Sequence, residues 1–171
     1  ELRQHDERRI QEAYLSKAFV EYTIGRLALA RGDAAGAEEA FGRALAEDLA
    51  YVPAHEWMGT VALARGDLEG AIREYGQTVE LRPLDGTMRW LLGRALGAAG
   101  RDEEAIVELR RATELEPLWA EPWFSLALAL DREALPDEAI VAYRAFVARA
   151  PRTSPNLARA TSRLAALSAS R

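Results

Sequence analysis

The sequence predicts an all-α fold, an α-solenoid of four stacked helix-turn-helix units closed by a C-terminal capping helix. Three observations carry this. Shifting the 171-residue chain against itself by 34 positions aligns several columns at once. Within each copy, apolar residues recur at helical spacing in two successive runs. Those runs stop at Gly or Pro, which end helices.

Five columns agree at that one period. Gly25, Gly59 and Gly93 share the first, with Ala127 as its fourth member. Ala37, Ala71, Ala105 and Ala139 fill the second. The third reads Phe41, Tyr75, Leu109 and Tyr143, and the fourth Ile24, Met58, Leu92 and Leu126. The fifth places Pro83, Pro117 and Pro151 at three unit ends, with Leu49 in the first. Glycine inside a helix costs roughly 1 kcal/mol against alanine, so its recurrence needs a packing reason. Small residues in the first two columns let paired backbones approach, and the third column fills the space between them.

Taken in order, residues 1–17 form an N-terminal leader without Gly or Pro, helical by composition. It is expected to extend the first helix of unit one, a separate helix breaking near Ser16 being the alternative. The leader is either a solvated segment or a docking helix using Ile10, Tyr14 and Leu15. Residues 18–153 hold the four units, 18–51, 52–85, 86–119 and 120–153. Their first helices run through "EYTIGRLALARG", "WMGTVALARG" and "WLLGRALGAAG". Their second helices run through "AGAEEAFGRALAED", "LEGAIREYGQTVELR" and "DEEAIVELRRATELE". Between them stand Arg31-Gly32-Asp33 and Arg65-Gly66-Asp67. Gly supplies the left-handed residue after the first helix, and Asp caps the second. The tripeptide RGD is therefore architecture here, not an adhesion site. Residues 154–171 are expected to form the capping helix, with Ser154 as cap and Pro155 in the first turn. Its apolar stripe is Leu157, Ala160, Thr161, Leu164 and Leu167, with Arg159, Ser162 and Arg163 facing away. A polar outer face keeps the open end of a stack soluble. Gly36, Gly70, Gly42 and Gly76, inside the second helices, have no explanation at this level.

The columns resemble the tetratricopeptide repeat family, whose unit is W-x2-L-G-x2-Y…A-x3-F…P. The resemblance covers about residues 18–153 and implies a right-handed solenoid. The chain departs from the pattern at the Trp column, which reads Glu21, His55, Arg89 and Trp123, and at the Tyr column, with Ala28, Ala62, Leu96 and Leu130. The inner faces are therefore leaner than the family's.

Composition narrows the function classes. A net charge of −5 argues against nucleic acid and anionic membrane as partners. There is no Cys, and no apolar run approaches membrane-spanning length. The leader is too charged for a secretory h-region, and the compartment stays open. "HEWMG" at 55–59 begins like a zinc-protease motif but carries Gly59 at the second ligand position. "GRALGAAG" at 93–100 follows no strand, so it is no phosphate loop. His5 falls in the charged leader. No nucleophile, base and orienter can be assembled, so no enzyme, metal or cofactor is expected.

What remains is a surface. The resemblance implies that the first helix of each unit lines a concave groove holding a protein or peptide segment. It carries the groove positions to Tyr22, Glu56, Trp90 and Phe124, and to Arg26, Thr60, Arg94 and Leu128. Aromatics and Arg are the types enriched at binding hot spots. Packing between neighbouring units is the competing role for the aromatics. The family's Lys/Asn/Arg carboxylate clamp is not expected, since the single Asn, Asn156, and the single Lys, Lys17, lie outside the units. The expected partner is amphipathic and acidic to neutral. The alternative is a structural subunit packing through its ends or convex face, in self-assembly or a larger complex.

Overall fold

A computed structural model describes residues 16–169. Among the described residues every regular element is an α-helix: α1 (Lys17–Ala30), α2 (Ala34–Glu47), α3 (Val52–Ala64), α4 (Leu68–Leu81), α5 (Gly86–Ala98), α6 (Asp102–Leu115), α7 (Ala120–Arg132), α8 (Pro136–Arg149) and α9 (Leu157–Ala169). None is long and apolar enough to cross a membrane. The helices pair in sequence, α1 with α2 through α7 with α8, and α9 packs on α8. The chain divides into two compact units, residues 1–81 and 82–171. The leader's fold and the docking roles of Ile10, Tyr14 and Leu15 lie outside the described residues. So does His5.

Inter-helix turns follow one design. Gly32, Gly66 and Gly100 adopt φ of 78°, 78° and 76°, where an L side chain is strained. Asp33 and Asp67 then cap α2 and α4, each Oδ1 accepting from the N–H three residues on, at 2.8 and 2.9 Å. The fourth turn repeats the geometry with a residue that dislikes it, Ala134 at φ 54°.

Glycines at 25, 59 and 93 are explained by what lies on them. A Cβ would stand 2.5 Å from the Phe41 ring, 2.7 Å from the Tyr75 ring and 2.6 Å from the Leu109 side chain, respectively. The partner side chain thus rests on bare backbone, while Ala37, Ala71, Ala105 and Ala139 are wholly buried opposite. The glycines at 36 and 70 also find a reason. A Cβ there would collide with the capping carboxylates of Asp33 and Asp67. At Gly42 and Gly76 a Cβ would meet nothing, and the structure supplies no reason for them.

Three details differ from the sequence expectation. The first helix of unit one begins at Lys17, at the break near Ser16 that was the alternative: Ser16 has φ −51° and ψ 139°, and its Oγ accepts from Phe19 N at 3.2 Å. An N-cap hydroxyl on a non-helical backbone starts the helix there. At the other end, α9 starts at Leu157, past the predicted Ser154-Pro155 entry, because Ser154–Asn156 form a turn in which Ser154 Oγ accepts from Asn156 N. Ile24 is 43% exposed despite its apolar column, since no helical pair precedes α1 among the described residues. Met58, its counterpart on α3, packs on the core cluster around Phe41, Ala44 and Ala54.

Candidate functional site

In the second unit, α5 and α7 lie side by side and their facing residues line a groove of 440 Å3. Trp90, from the second turn of α5, forms one wall. Its Nε1 donates to Ser125 Oγ at 3.0 Å, and that hydroxyl donates in turn to Glu121 O at 3.1 Å. The Trp119 ring meets it edge-on at 4.7 Å. One helical turn further along α5, the Arg94 guanidinium lies over the Trp90 ring, 4.7 Å from its centroid. Stacking on the aromatic quadrupole holds this cation, with no carboxylate bonded to it among the described residues.

Phe124 and Leu128, one turn apart on α7, supply the apolar floor. The groove position expected of Phe124 is corrected in part. Only 7% of it is exposed, because its ring packs 5.0 Å from Phe146 and 6.4 Å from Tyr143. It closes the groove from beneath while belonging mainly to the core. Asn156 also lines the groove, although it follows the four units in sequence. The turn before α9 carries it back over α7. Arg159 on α9 approaches the Phe124 ring at 5.9 Å. Arg132 is committed, its Nε bonding the buried Asp102 carboxylate at 2.8 Å. Trp90, Arg94, Phe124 and Leu128 are thus brought together.

The four positions in the first unit form a smaller assembly. Tyr22 packs edge-on against Tyr51 at 5.7 Å and near Phe41 at 6.1 Å. Arg26 Nη1 donates to Tyr22 Oη at 3.0 Å, and its guanidinium lies 4.8 Å over the Trp57 ring. Thr60 is used by the fold, its Oγ1 donating to Glu56 O at 3.0 Å and reaching Tyr75 Oη at 3.2 Å. Glu56 is half-buried beside it. Desolvation, with the neighbouring Tyr22 and Asp48, raises the Tyr51 hydroxyl above its ordinary value. Trp57 was missed in the sequence, though it follows the ladder residue Glu56 directly. Trp119 and Asn156 were missed too, because both stand in turns that helical periodicity does not read.

Two stretches match the family model described as Tetratricopeptide repeat, residues 22–78 and 58–117. The chain belongs to the tetratricopeptide repeat family. Comparison with curated proteins gives no match. Among solved structures, this tetratricopeptide chain is similar to MamA, with a TM-score of 0.81 and 24% identity, over 88% of this chain and 80% of that one. It is similar to YrrB, a TPR protein with an unusual peptide-binding site, with a TM-score of 0.80 and 20% identity over 95% and 81% of the two chains. The TPR2B domain of yeast Sti1, solved in complex with pHsp70, gives a TM-score of 0.64 and 16% identity, over 70% of this chain and 98% of that one. At these identities the likenesses concern the fold.

Proposed function

We propose that this chain is a protein-interaction module whose second unit holds a partner segment along the groove between α5 and α7. The observation that carries this is Arg94, parked on the face of Trp90 above an apolar floor, with no carboxylate of the described chain bonded to it. Such a group is oriented in advance, so less side-chain entropy is lost when a ligand oxygen arrives. Arg94 and the Asn156 amide favour carboxylate or carbonyl oxygens, while Phe124 and Leu128 take an apolar side chain. The partner is therefore an amphipathic segment, acidic to neutral. Tyr22, Arg26, Glu56 and Thr60 would supply equivalent contacts from the first unit, with Trp57 beside Arg26. YrrB, described with an unusual peptide-binding site, and the Sti1 domain, solved in complex with pHsp70, are similar in fold, which supports a binding reading over a catalytic one.

The clean variant is Arg94→Ala. Trp90 is less suitable, since it packs on Trp119 and bonds Ser125. A display library of extended peptides selected on the wild-type protein should enrich apolar residues beside Asp or Glu. Binding of the selected peptides should fall at least about tenfold in Arg94→Ala, a loss typical of an interface Arg, with the melting temperature unchanged. Equal binding by the variant would remove the groove from consideration.

A further inference from the structure

We infer that the second unit carries another docking groove, on the side formed by α6 and α8, suited to a basic amphipathic helix of a partner protein. This groove, of 470 Å3, runs over α7. Trp123, Leu126, Val141 and Ala142 form its apolar bed, and Val141 is 61% exposed. One face of Trp123 is taken by Arg149, whose guanidinium lies 5.1 Å from the ring centroid. The other residues keep the bed apolar.

The repeat supplies an internal control. In the second repeat the same columns hold His55 for Trp123, Arg73 for Val141 and Glu74 for Ala142. There His55 Nδ1 and Glu74 are 2.8 Å apart and Arg73 lies 3.5 Å from the same carboxylate, so ionic groups fill the site. At α6–α8 the carboxylate has become alanine and the guanidinium valine. The exposed column held by Glu39 and Arg73 in the first unit is apolar in the second, at Val107 and Val141.

The rim names the occupant. Glu114, Asp137 and Glu138 line it with Arg110, and Arg149 stands over the face of Trp123. Arg110 pairs with Glu138, and Arg111, outside the groove, pairs with Glu114 at 2.7 Å. All four of these side chains are close to half exposed or more. Exposed pairs of this kind contribute little and exchange readily for an incoming Lys or Arg. Helix ridges pack into the bed between two neighbouring helices. A helix with apolar side chains one turn apart and Lys or Arg beside them satisfies both bed and rim. This preference is opposite in charge to that of the Arg94 groove, so the two could hold different partners.

The test uses two synthetic helix-forming peptides, one with leucines at one-turn spacing flanked by lysines, the other with glutamates replacing the lysines. Fluorescence anisotropy follows their binding to the full chain at graded salt. The leucine–lysine peptide should bind saturably at one per chain, weakening with salt, and the glutamate peptide should not. Val141→Arg, which copies Arg73 onto an exposed position, should cut affinity at least about tenfold with an unchanged melt. Neutralising Glu39 and Glu69 in the first unit, or introducing Arg94→Ala, should leave binding as it was. Equal binding to Val141→Arg, loss on neutralising Glu39 and Glu69, or dependence on Arg94 would each overturn the proposal. A concentration-dependent dimer abolished by Val141→Arg would also overturn it, by showing that a second copy occupies the groove.

Discussion

Arg89 Nε donates to the carbonyl oxygen of Pro83 at 2.9 Å, reaching back six residues to the turn before its own helix. His55 Nε2 meets Leu49 O at 2.9 Å in the same way, and Trp123 Nε1 donates to Pro117 O at 3.3 Å. Leu49, Pro83 and Pro117 share one column, and His55, Arg89 and Trp123 share another. Three chemically different side chains thus satisfy the same turn carbonyl. The Trp of the family pattern is replaced here by His55 and Arg89, which keep its hydrogen bond and add a carboxylate partner, Glu74 at 2.8 Å and Glu108 at 2.6 Å. The inner faces expected to be lean are filled by these pairs.

The first prediction exchanges one solution for another. His55→Leu should destabilise by about 3 kcal/mol, because it strands Glu74 and the Leu49 carbonyl in a part-buried site. The double variant His55→Trp/Glu74→Ala copies the fourth repeat and should recover to within about 1 kcal/mol of wild type, since replacing both partners of a buried pair is often neutral. Urea unfolding of the three proteins decides it. A double variant as weak as the single one would show that Trp cannot reach the turn carbonyl from α3.

A second prediction separates glycines that look alike in sequence. Gly42→Ala and Gly76→Ala place a methyl in open space and should each stabilise by about 1 kcal/mol, the helix-propensity difference. Gly36→Ala gains the same propensity but displaces the Asp33 carboxylate from the α2 cap, a loss of about 1 kcal/mol. Its net effect should be near zero. Thermal melts that raise Gly36→Ala as much as Gly42→Ala would mean that the cap survives the added Cβ.

How much of this was legible beforehand depended on whether a feature was periodic. Pairing, helix order and the turn glycines follow from the columns, because helix packing repeats the same contact every 34 residues. Trp90, Arg94, Phe124 and Leu128 could be brought together on that basis. The periodicity did not show that Phe124 lies beneath its groove. Burial there depends on Tyr143 and Phe146, side chains of α8 that the ladder along the first helices does not include. Asn156 escaped for a related reason, since a non-repeating turn returns it to α7. Gly36 looked costly until the position of the Asp33 carboxylate was known.

The third prediction concerns the fourth turn. Ala134 holds φ 54° where the other three turns use glycine. The left-handed region costs an L-residue roughly 1–2 kcal/mol, so Ala134→Gly should stabilise by about 1 kcal/mol once the larger unfolded-state entropy of glycine is subtracted. Gly100→Ala should lose a similar amount. Both are read as shifts in urea midpoint at constant m-value. A destabilised Ala134→Gly would indicate that this turn is held by contacts its neighbours lack.

The fourth prediction is a stability profile with two arms, both centred on the contact between α7 and α9. Arg163 bonds both oxygens of Asp131, at 2.6 and 2.7 Å, and Tyr143 Oη stands 3.5 Å from the same carboxylate. The Arg163 hydrogen bonds hold the Asp131 carboxyl below its ordinary value. A depressed carboxyl contributes stability above the unfolded value of about 4 and loses it as pH falls through the folded value. Burial, reinforced by Asp131, pushes the Tyr143 hydroxyl up to about 12 from 10.0. A raised phenol contributes fully below the unfolded value and loses that contribution as pH climbs from about 10 to about 12, roughly 2–3 kcal/mol for such a shift. Arg163→Gln should therefore flatten the acid arm and loosen α9, of which only Ala160 is buried. Tyr143→Phe should flatten the alkaline arm and leave the acid arm in place. Unfolding midpoints measured across the pH range for the three proteins test both assignments separately. An acid arm that persists in Arg163→Gln would move its origin to another carboxylate, and an alkaline arm that persists in Tyr143→Phe would place it outside this contact.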